Sequence, residues 1–211
     1  MILSNVELHR ALDEGRLIIS PEPSPRTPTL GSGHSPYATH AVDLRLGGEI
    51  RVPMSGSYAY DHTQTADLAD HLARNSEKFK ISDETPFRLK RDQFVLGITH
   101  ESVSLPITEG CETCLAARIE GKSSRARTGL LIHFTAPTVH PGWKGPLVLE
   151  MINLGSSPIL LVPMMYIAQL IVEEVKGCPN RNDSRFQGQK DTSGISHPFA
   201  GGKDDCDIAK L

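Results

Sequence analysis

Gly121-Lys122-Ser123-Ser124-Arg125-Ala126-Arg127-Thr128-Gly129 leads into an apolar run ending at His133. A tight turn follows at Pro141-Gly142-Trp143-Lys144-Gly145, and then the strand Leu147-Val148-Leu149-Glu150-Met151-Ile152-Asn153. Strand-length apolar runs separated by glycine and proline turns are the pattern of an all-β domain. Two features of the stretch carry chemistry. Lys122, Arg125 and Arg127, with the Ser123 and Ser124 hydroxyls, place hydrogen-bond donors between two glycines, a composition suited to polyanionic oxygens. Glu150 is a lone carboxylate in an apolar strand. Side chains alternate along a strand, so it shares its face with Val148 and Ile152, a costly place for an anion that nothing uses or neutralises.

The same pattern extends outward. Phe79 and Ile81, Phe87 and Leu89, Phe94 to Ile98, Leu115 to Ile119, Gly129 to Phe134, Leu147 to Ile152, Ile159 to Val162 and Ile167 to Val172 read as short strands. No long helical period interrupts them, so a sandwich, jelly roll or barrel is expected rather than a parallel sheet. Val42 to Leu46 is predicted to run into a Gly47-Gly48 turn and a partner strand from Glu49 to Val52. Asp43 and Arg45 on it are either site residues or members of ion pairs. At the start, Ser4-Asn5-Val6-Glu7 forms a capping box for a helix from about Asn5 to Glu14, ended by Gly15. Leu17 to Ser20 reads as strand, the segment from Pro21 to Tyr37 as loop, and Ala66 to Ala73 as a possible short helix.

The chain has 211 residues and a formal net charge of -3, enough length for one well-buried domain and no basic excess to attract nucleic acid or anionic membranes. No apolar run reaches membrane-spanning length and Met1-Ile2-Leu3-Ser4 does not open a signal peptide, so a cytoplasmic protein is expected. One domain over 1–175 is predicted, with a polar tail over 176–211 whose end is mobile.

Gly121-Lys122-Ser123 invites comparison with a phosphate loop, but that motif requires glycine at 116, where Ala stands, and Leu115 to Ile119 reads as strand. What remains is either another kind of phosphate-binding turn or a solvated basic turn. Cys111-Glu112-Thr113-Cys114 raises the question of zinc. Zinc deaminases pair a P-C-x-x-C with an upstream H-x-E, whereas here Gly110 precedes the cysteines and none of the nine histidines has Glu two residues on. With Cys178 and Cys206 the spacing is unlike a zinc ribbon, so no zinc is expected and the thiols are read as free. The pair is placed in an inserted loop from Ile107 to Cys114.

Glu120-Gly121-Lys122-Ser123-Ser124-Arg125-Ala126-Arg127, His133-Phe134-Thr135-Ala136, Pro141-Gly142-Trp143-Lys144-Gly145, Val148-Leu149-Glu150 and Ile167-Ala168-Gln169-Leu170 resemble, in order and spacing, the trimeric dCTP deaminases of the dUTPase superfamily. The resemblance implies a mainly β, distorted jelly-roll or β-clip fold of dUTPase type with a short N-terminal helix. It implies a homotrimer with active sites between subunits, hydrolysis of dCTP to dUTP and ammonia without a catalytic metal, and Mg2+ arriving on the substrate triphosphate. By the same resemblance Glu150 is the general base, and Ser123 and Arg127 orient water and substrate. Lys122, Ser124 and Arg125 meet phosphates. Val148 and Leu149 lie against the base, the Ala136 carbonyl holds the reacting group, and Gln169 adds a polar contact. Arg185 and Gln189 grip the triphosphate as the tail closes. Read from the residues alone, Glu150 is either this base or the partner of a buried arginine. Desolvation disfavours an ionised carboxylate, which lets one group take and return a proton near neutral pH.

Four positions depart from the family pattern. Lys122 replaces the usual Arg and loses the bidentate fork. Phe186 replaces a common Tyr. Met164 stands where a turn glycine is frequent. His140 occupies the position before Pro141-Gly142 where relatives carry an Asp that contacts the sugar and, in dUTP-hydrolysing members, activates water. A dUTP diphosphatase, a bifunctional deaminase and diphosphatase, and a nucleotide-binding regulator without turnover are the competing functions.

Overall fold

The computed structural model describes residues 1–28, 33–56, 68–108, 110–180, 184 and 186–193. Its elements are α1 (Asn5–Asp13), β1 (Ile18–Ser20), β2 (Val42–Pro53), α2 (Leu68–Arg74), β3 (Ser76–Lys80), β4 (Phe87–Leu89), β5 (Phe94–Ser104), β6 (Thr113–Gly121), α3 (Ser123–Ala126), β7 (Leu130–Leu131), β8 (Thr138–Val139), β9 (Lys144–Asn153), β10 (Ile159–Leu161) and β11 (Tyr166–Lys176). The fold is mainly β, with the helices short. None of the described helices is long and apolar enough to cross a membrane.

Two long strands change partners, and that curls the sheet. The order is β7-β9-β5-β2-β11-β6-β8, with β1 added on β5 and β3 on β2. Val42 to Arg45 of β2 pair with β11, whereas Leu46 to Arg51 pair with β5 and Glu49 to Pro53 with β3. The handover falls at Gly47-Gly48, where the sequence predicts a reversal. The chain instead runs straight on. Leu46 faces Thr99 and Ile50 faces Gly97, so two extra residues on β2 are absorbed as a bulge. A side chain on Gly47 would come within 3.0 Å of the Ile98 carbonyl, which is why a residue without one sits where the strands approach most closely.

A second bulge lies on β5 opposite β9, between Ile98 and Ser102. Thr99 stabilises it, donating its hydroxyl to the Glu101 carbonyl at 2.6 Å and accepting the Leu147 N–H at 2.9 Å. The bulge turns Glu101 fully inward, where its carboxylate accepts the Arg45 backbone N–H at 2.8 Å and Nε at 2.5 Å. Arg45 is thus an ion-pair member, one of the two roles open to it from sequence.

Strand alternation builds the core. β9 buries Leu147, Leu149 and Met151 on one face and leaves Val148, Glu150 and Ile152 half-buried on the other. Leu170 and Val172 of β11, Leu115 and Ala117 of β6, and Leu8 and Ala11 of α1 join the same apolar cluster. α1 starts as predicted, with the Ser4 hydroxyl accepting the Glu7 N–H, although Glu7 turns its carboxylate to Arg10. α2 overlaps the span predicted for a short helix and runs one residue past it, to Arg74; residues 66–67 fall outside the described ones. β6 and β11 are longer than predicted, and their nine-residue pairing takes Thr113 and Cys114 out of the inserted loop into the strand. β7 is shorter: the ladder ends at Leu131, and 132–137 form an irregular connection closed by Pro137, which has no N–H to continue it.

Candidate active site

Glu150 stands on the outward face of β9 between Val148 and Ile152, and across the ladder Leu96 lies opposite it. Phe94 faces Ile152 and Ile98 faces Val148, so the carboxylate rises from an apolar strip. Its Oε2 accepts the Phe134 backbone N–H at 3.3 Å. That N–H is free because the irregular connection has left the ladder, which links the broken β7 to the carboxylate's position. Among the described residues no cation pairs with Glu150. The Phe134 ring packs edge-on to Phe94 at 5.6 Å beside it, and the two rings are 45% and 37% exposed. Ala136 is exposed on the same connection. Leu149 differs from the expectation: its side chain lies in the core, so only its backbone can border anything on the Glu150 face.

The cationic turn sits at the end of β6. Lys122 is engaged within the chain, its ammonium paired with the buried Asp43 carboxylate and lying 5.9 Å from the centre of the Tyr166 ring. Asp43 also accepts the Gln169 amide at 3.0 Å. Asp43 and Gln169 face each other across β2 and β11, which brings the side chains onto one face. Arg125 donates its Nε to the Tyr166 carbonyl at 3.4 Å. Arg127 is different: exposed, it makes no side-chain hydrogen bond or ion pair with the described residues, and Ser123 and Ser124 are exposed beside it. Lys122, Gln169 and Arg125 therefore shape the turn, while Ser123, Ser124 and Arg127 present donors to whatever approaches.

One connection joins the two regions. His133 Nε2 lies 3.6 Å from the Glu120 carboxylate, next to Phe134, whose N–H holds Glu150. Glu120 in turn opposes Gln169 across β6 and β11. The turn's far end is tied to the exit of β9, the Leu154 N–H donating to the Gly129 carbonyl at 2.8 Å. Sequence reasoning did not find Glu120, His133 or Phe134 as linking residues. The contact between the Phe134 amide and Glu150 leaves no trace in residue type.

The tail turn packs on its own chain. Gln187 donates its amide to the Gly142 carbonyl at 2.8 Å, and Gly188 donates its N–H to the Lys144 carbonyl at 2.8 Å. Gln189 is buried, its amide donating to the Pro146 carbonyl at 3.0 Å, so in this arrangement it clamps the Pro141-to-Pro146 turn. Thr192 accepts the Arg51 Nε at 2.9 Å and donates to Glu49 at 2.6 Å, while Lys78 bridges Glu49 and Asp191. Arg185, residues 194–211 and Cys206 lie outside the described residues. His140 is exposed, and its carbonyl accepts the Trp143 N–H at 3.2 Å.

Comparison with known proteins is consistent across sequence and structure. The family model described as dCTP deaminase-like matches residues 2–175. A dCTP deaminase of Marinomonas sp. is 34% identical over 209 residues, covering 95% of this chain and 99% of the relative. One from Shewanella sp. strain W3-18-1 is 36% identical over 186 residues, covering 84% and 86%. The crystal structure of a 2'-deoxycytidine 5'-triphosphate deaminase from Agrobacterium tumefaciens has the same fold, with a TM-score of 0.55 at 18% identity. It covers 81% of this chain, which spans about half of that one (47%).

Proposed function

The chain belongs to the dCTP deaminase-like family, and on that premise we propose that it hydrolyses dCTP to dUTP and ammonia, with Glu150 as general base. The supporting observation is a half-buried carboxylate on an apolar strip, steadied by one backbone N–H and paired with no cation among the described residues. A structural ion pair would have its charge satisfied already. This one is left able to accept a proton.

Glu150 takes a proton from water as the oxygen attacks the ring carbon bearing the amine, and passes it to the ring nitrogen. It then takes the remaining proton from the hydroxyl of the tetrahedral adduct and gives it to the amino nitrogen, so the carbonyl forms as the C–N bond breaks, ammonia leaves and Glu150 ends as it began. Ser123 and Arg127 orient water and substrate, and Lys122, Ser124 and Arg125 with them form the phosphate turn. Val148 and the Leu149 backbone border the base, and the Ala136 carbonyl accepts from the reacting group. Gln169 acts through Asp43, which it shares with Lys122. Arg185 and Gln189 belong to the tail that closes on the triphosphate, a movement in which Gln189 leaves the Pro146 carbonyl.

The turn's donors are cations and hydroxyls, which suit phosphate oxygens rather than a bare metal ion, and no group of three or more His, Cys, Asp or Glu among the described residues is set to hold one. Mg2+ would come with the substrate triphosphate and, when bound, would neutralise phosphate charge beside the donors of Ser123, Ser124 and Arg127. The exposed Phe94 and Phe134 rings beside Glu150 favour a site completed by a second copy of the chain, as in a homotrimer acting in the cytoplasm.

Incubation with dCTP and Mg2+ tests the reading by ammonia release. Ammonia in step with dUTP supports it. Pyrophosphate and dUMP from supplied dUTP without deamination, or tight binding of dCTP with neither product, would replace it by a diphosphatase or a regulator.

A further inference from the structure

The Cys111-x-x-Cys114 segment plays no part in the proposed chemistry, yet the fold gathers three thiols around it. Cys111 precedes β6, Cys114 is its second residue, and Cys178 lies just beyond the end of β11, where Lys176 faces Thr113. The Gly177 N–H donates to the Glu112 carbonyl at 2.9 Å, pinning the two segments together. The Cys111 N–H and the Cys178 thiol both donate to the Thr108 carbonyl, at 3.2 and 3.8 Å, which brings the two cysteines together on one backbone oxygen. Cys114 is buried, its thiol 4.0 Å from the Gly177 carbonyl.

We propose that Cys111 and Cys178 form a reversible dithiol–disulfide pair that ties the entry of β6 to the segment leading into the tail. The reaction partner is a small-molecule disulfide such as oxidised glutathione. The exposed Cys178 loses its proton and attacks one sulfur of that disulfide, forming a mixed disulfide and expelling one small thiolate. Cys111 then loses its proton and attacks the Cys178 sulfur, and the second small thiolate leaves. Two protein thiols and one small disulfide become one protein disulfide and two small thiols, so electrons and protons balance.

Burial, and next the neighbouring Cys178 thiol, push the Cys111 thiol above its ordinary value, and burial does the same to Cys114, so both are held in the protonated form until a reaction partner arrives. Among the described residues no group of three or more His, Cys, Asp or Glu is set to hold a metal ion. The bond joins positions far apart in sequence at the end of the β6–β11 pair opposite the phosphate turn, so it constrains the unfolded chain strongly without touching Glu150. The inference does not rest on the deaminase reading.

The test equilibrates the full chain with graded ratios of reduced and oxidised glutathione, blocks remaining thiols and maps peptides by mass spectrometry without reduction. A Cys111–Cys178 peptide is expected, kept in Cys114→Ser and lost in Cys111→Ser and Cys178→Ser. The oxidised protein should melt about 5 °C or more above the reduced one, a gap absent in Cys111→Ser. Closure should also speed up as pH rises and Cys111 ionises. Full alkylation of both thiols after exposure to excess oxidised glutathione would overturn the proposal. A Cys111–Cys114 bond, or zinc retained through desalting and lost in Cys111→Ser, would do the same.

Discussion

Gly129 ends the cationic turn in the left-handed region, with φ at 91°, and its backbone lies against Gly155 just past β9. A Cβ built there runs into the Gly155 nitrogen and comes 2.5 Å from the Gly155 Cα and 3.0 Å from the Leu154 carbonyl carbon. Carbon contacts settle near 3.5–4.0 Å, so Gly129→Ala must move one backbone by about 1 Å. Both sides are main chain, and the hydrogen bond from the Leu154 N–H to the Gly129 carbonyl is stretched with them. The left-handed conformation costs an alanine about 1–2 kcal/mol, overpacking adds about 1–3, and the stiffer unfolded chain returns about 0.4–1. A net loss of about 3 kcal/mol is expected. Gly15 is the control, with φ at 70° and nothing within 4 Å of an added Cβ, so Gly15→Ala should lose about 1 kcal/mol. Urea unfolding of both variants at one chain concentration gives the comparison, because assembly makes apparent stability depend on concentration. Where Gly129→Ala remains folded, a turn displaced by about 1 Å should cost on the order of 100-fold in kcat/KM for dCTP. If the two alanines cost the same to within about 0.5 kcal/mol, the close backbone approach does not exist and the reasoning fails.

Met164 holds φ at 63° while its N–H donates to the Leu46 carbonyl at 2.8 Å, so the turn keeps a glycine-like geometry without glycine. Met164→Val should destabilise by about 1–2 kcal/mol in thermal unfolding although the residue is 44% exposed, while Met164→Gly should be neutral or stabilising; equal stability of the two would contradict this. Burial alone would raise the Glu49 carboxyl, but hydrogen bonds from Lys78 and Thr192 bring it below its ordinary value, and the same Glu49 contact raises Lys78. A lowered acid gives stability that is lost as pH falls through its folded value, and a raised base gives stability that is lost as pH rises through its own. The stability advantage of the wild type over Lys78→Met should therefore hold across neutral pH, start to fall as pH drops below about 4.3 or rises above about 10.4, and be lost only beyond the shifted values of Glu49 and Lys78, as followed by unfolding at each pH. A difference independent of pH would show that the tail turn is not fastened by these charges.

The β character and the position of Glu150 were legible because alternation is local: Val148, Glu150 and Ile152 had to share a face whatever they met. The Gly47-Gly48 pair was misread as a reversal because the same dipeptide serves a hairpin or a bulge, and only the partner strand decides between them. Asp43 and Arg45 were legible as ion-pair candidates, but their partners Lys122 and Glu101 are brought in by strand pairing and by a bulge that no periodicity announces. Lys122 illustrates the limit most clearly. Its charge and place suggest phosphate, while the fold first gives it to Asp43.

The central claim is that Glu150 moves the proton in a deamination driven by no resident metal, and ammonia release by Glu150→Gln measures it most directly. Glutamine keeps the shape and can still accept the Phe134 N–H, but it cannot take a proton from water. The variant should match the wild type in melting temperature and oligomeric state, bind dCTP with Mg2+, and release ammonia at least about 100-fold more slowly. Ammonia release within a few-fold of the wild-type rate would contradict the account.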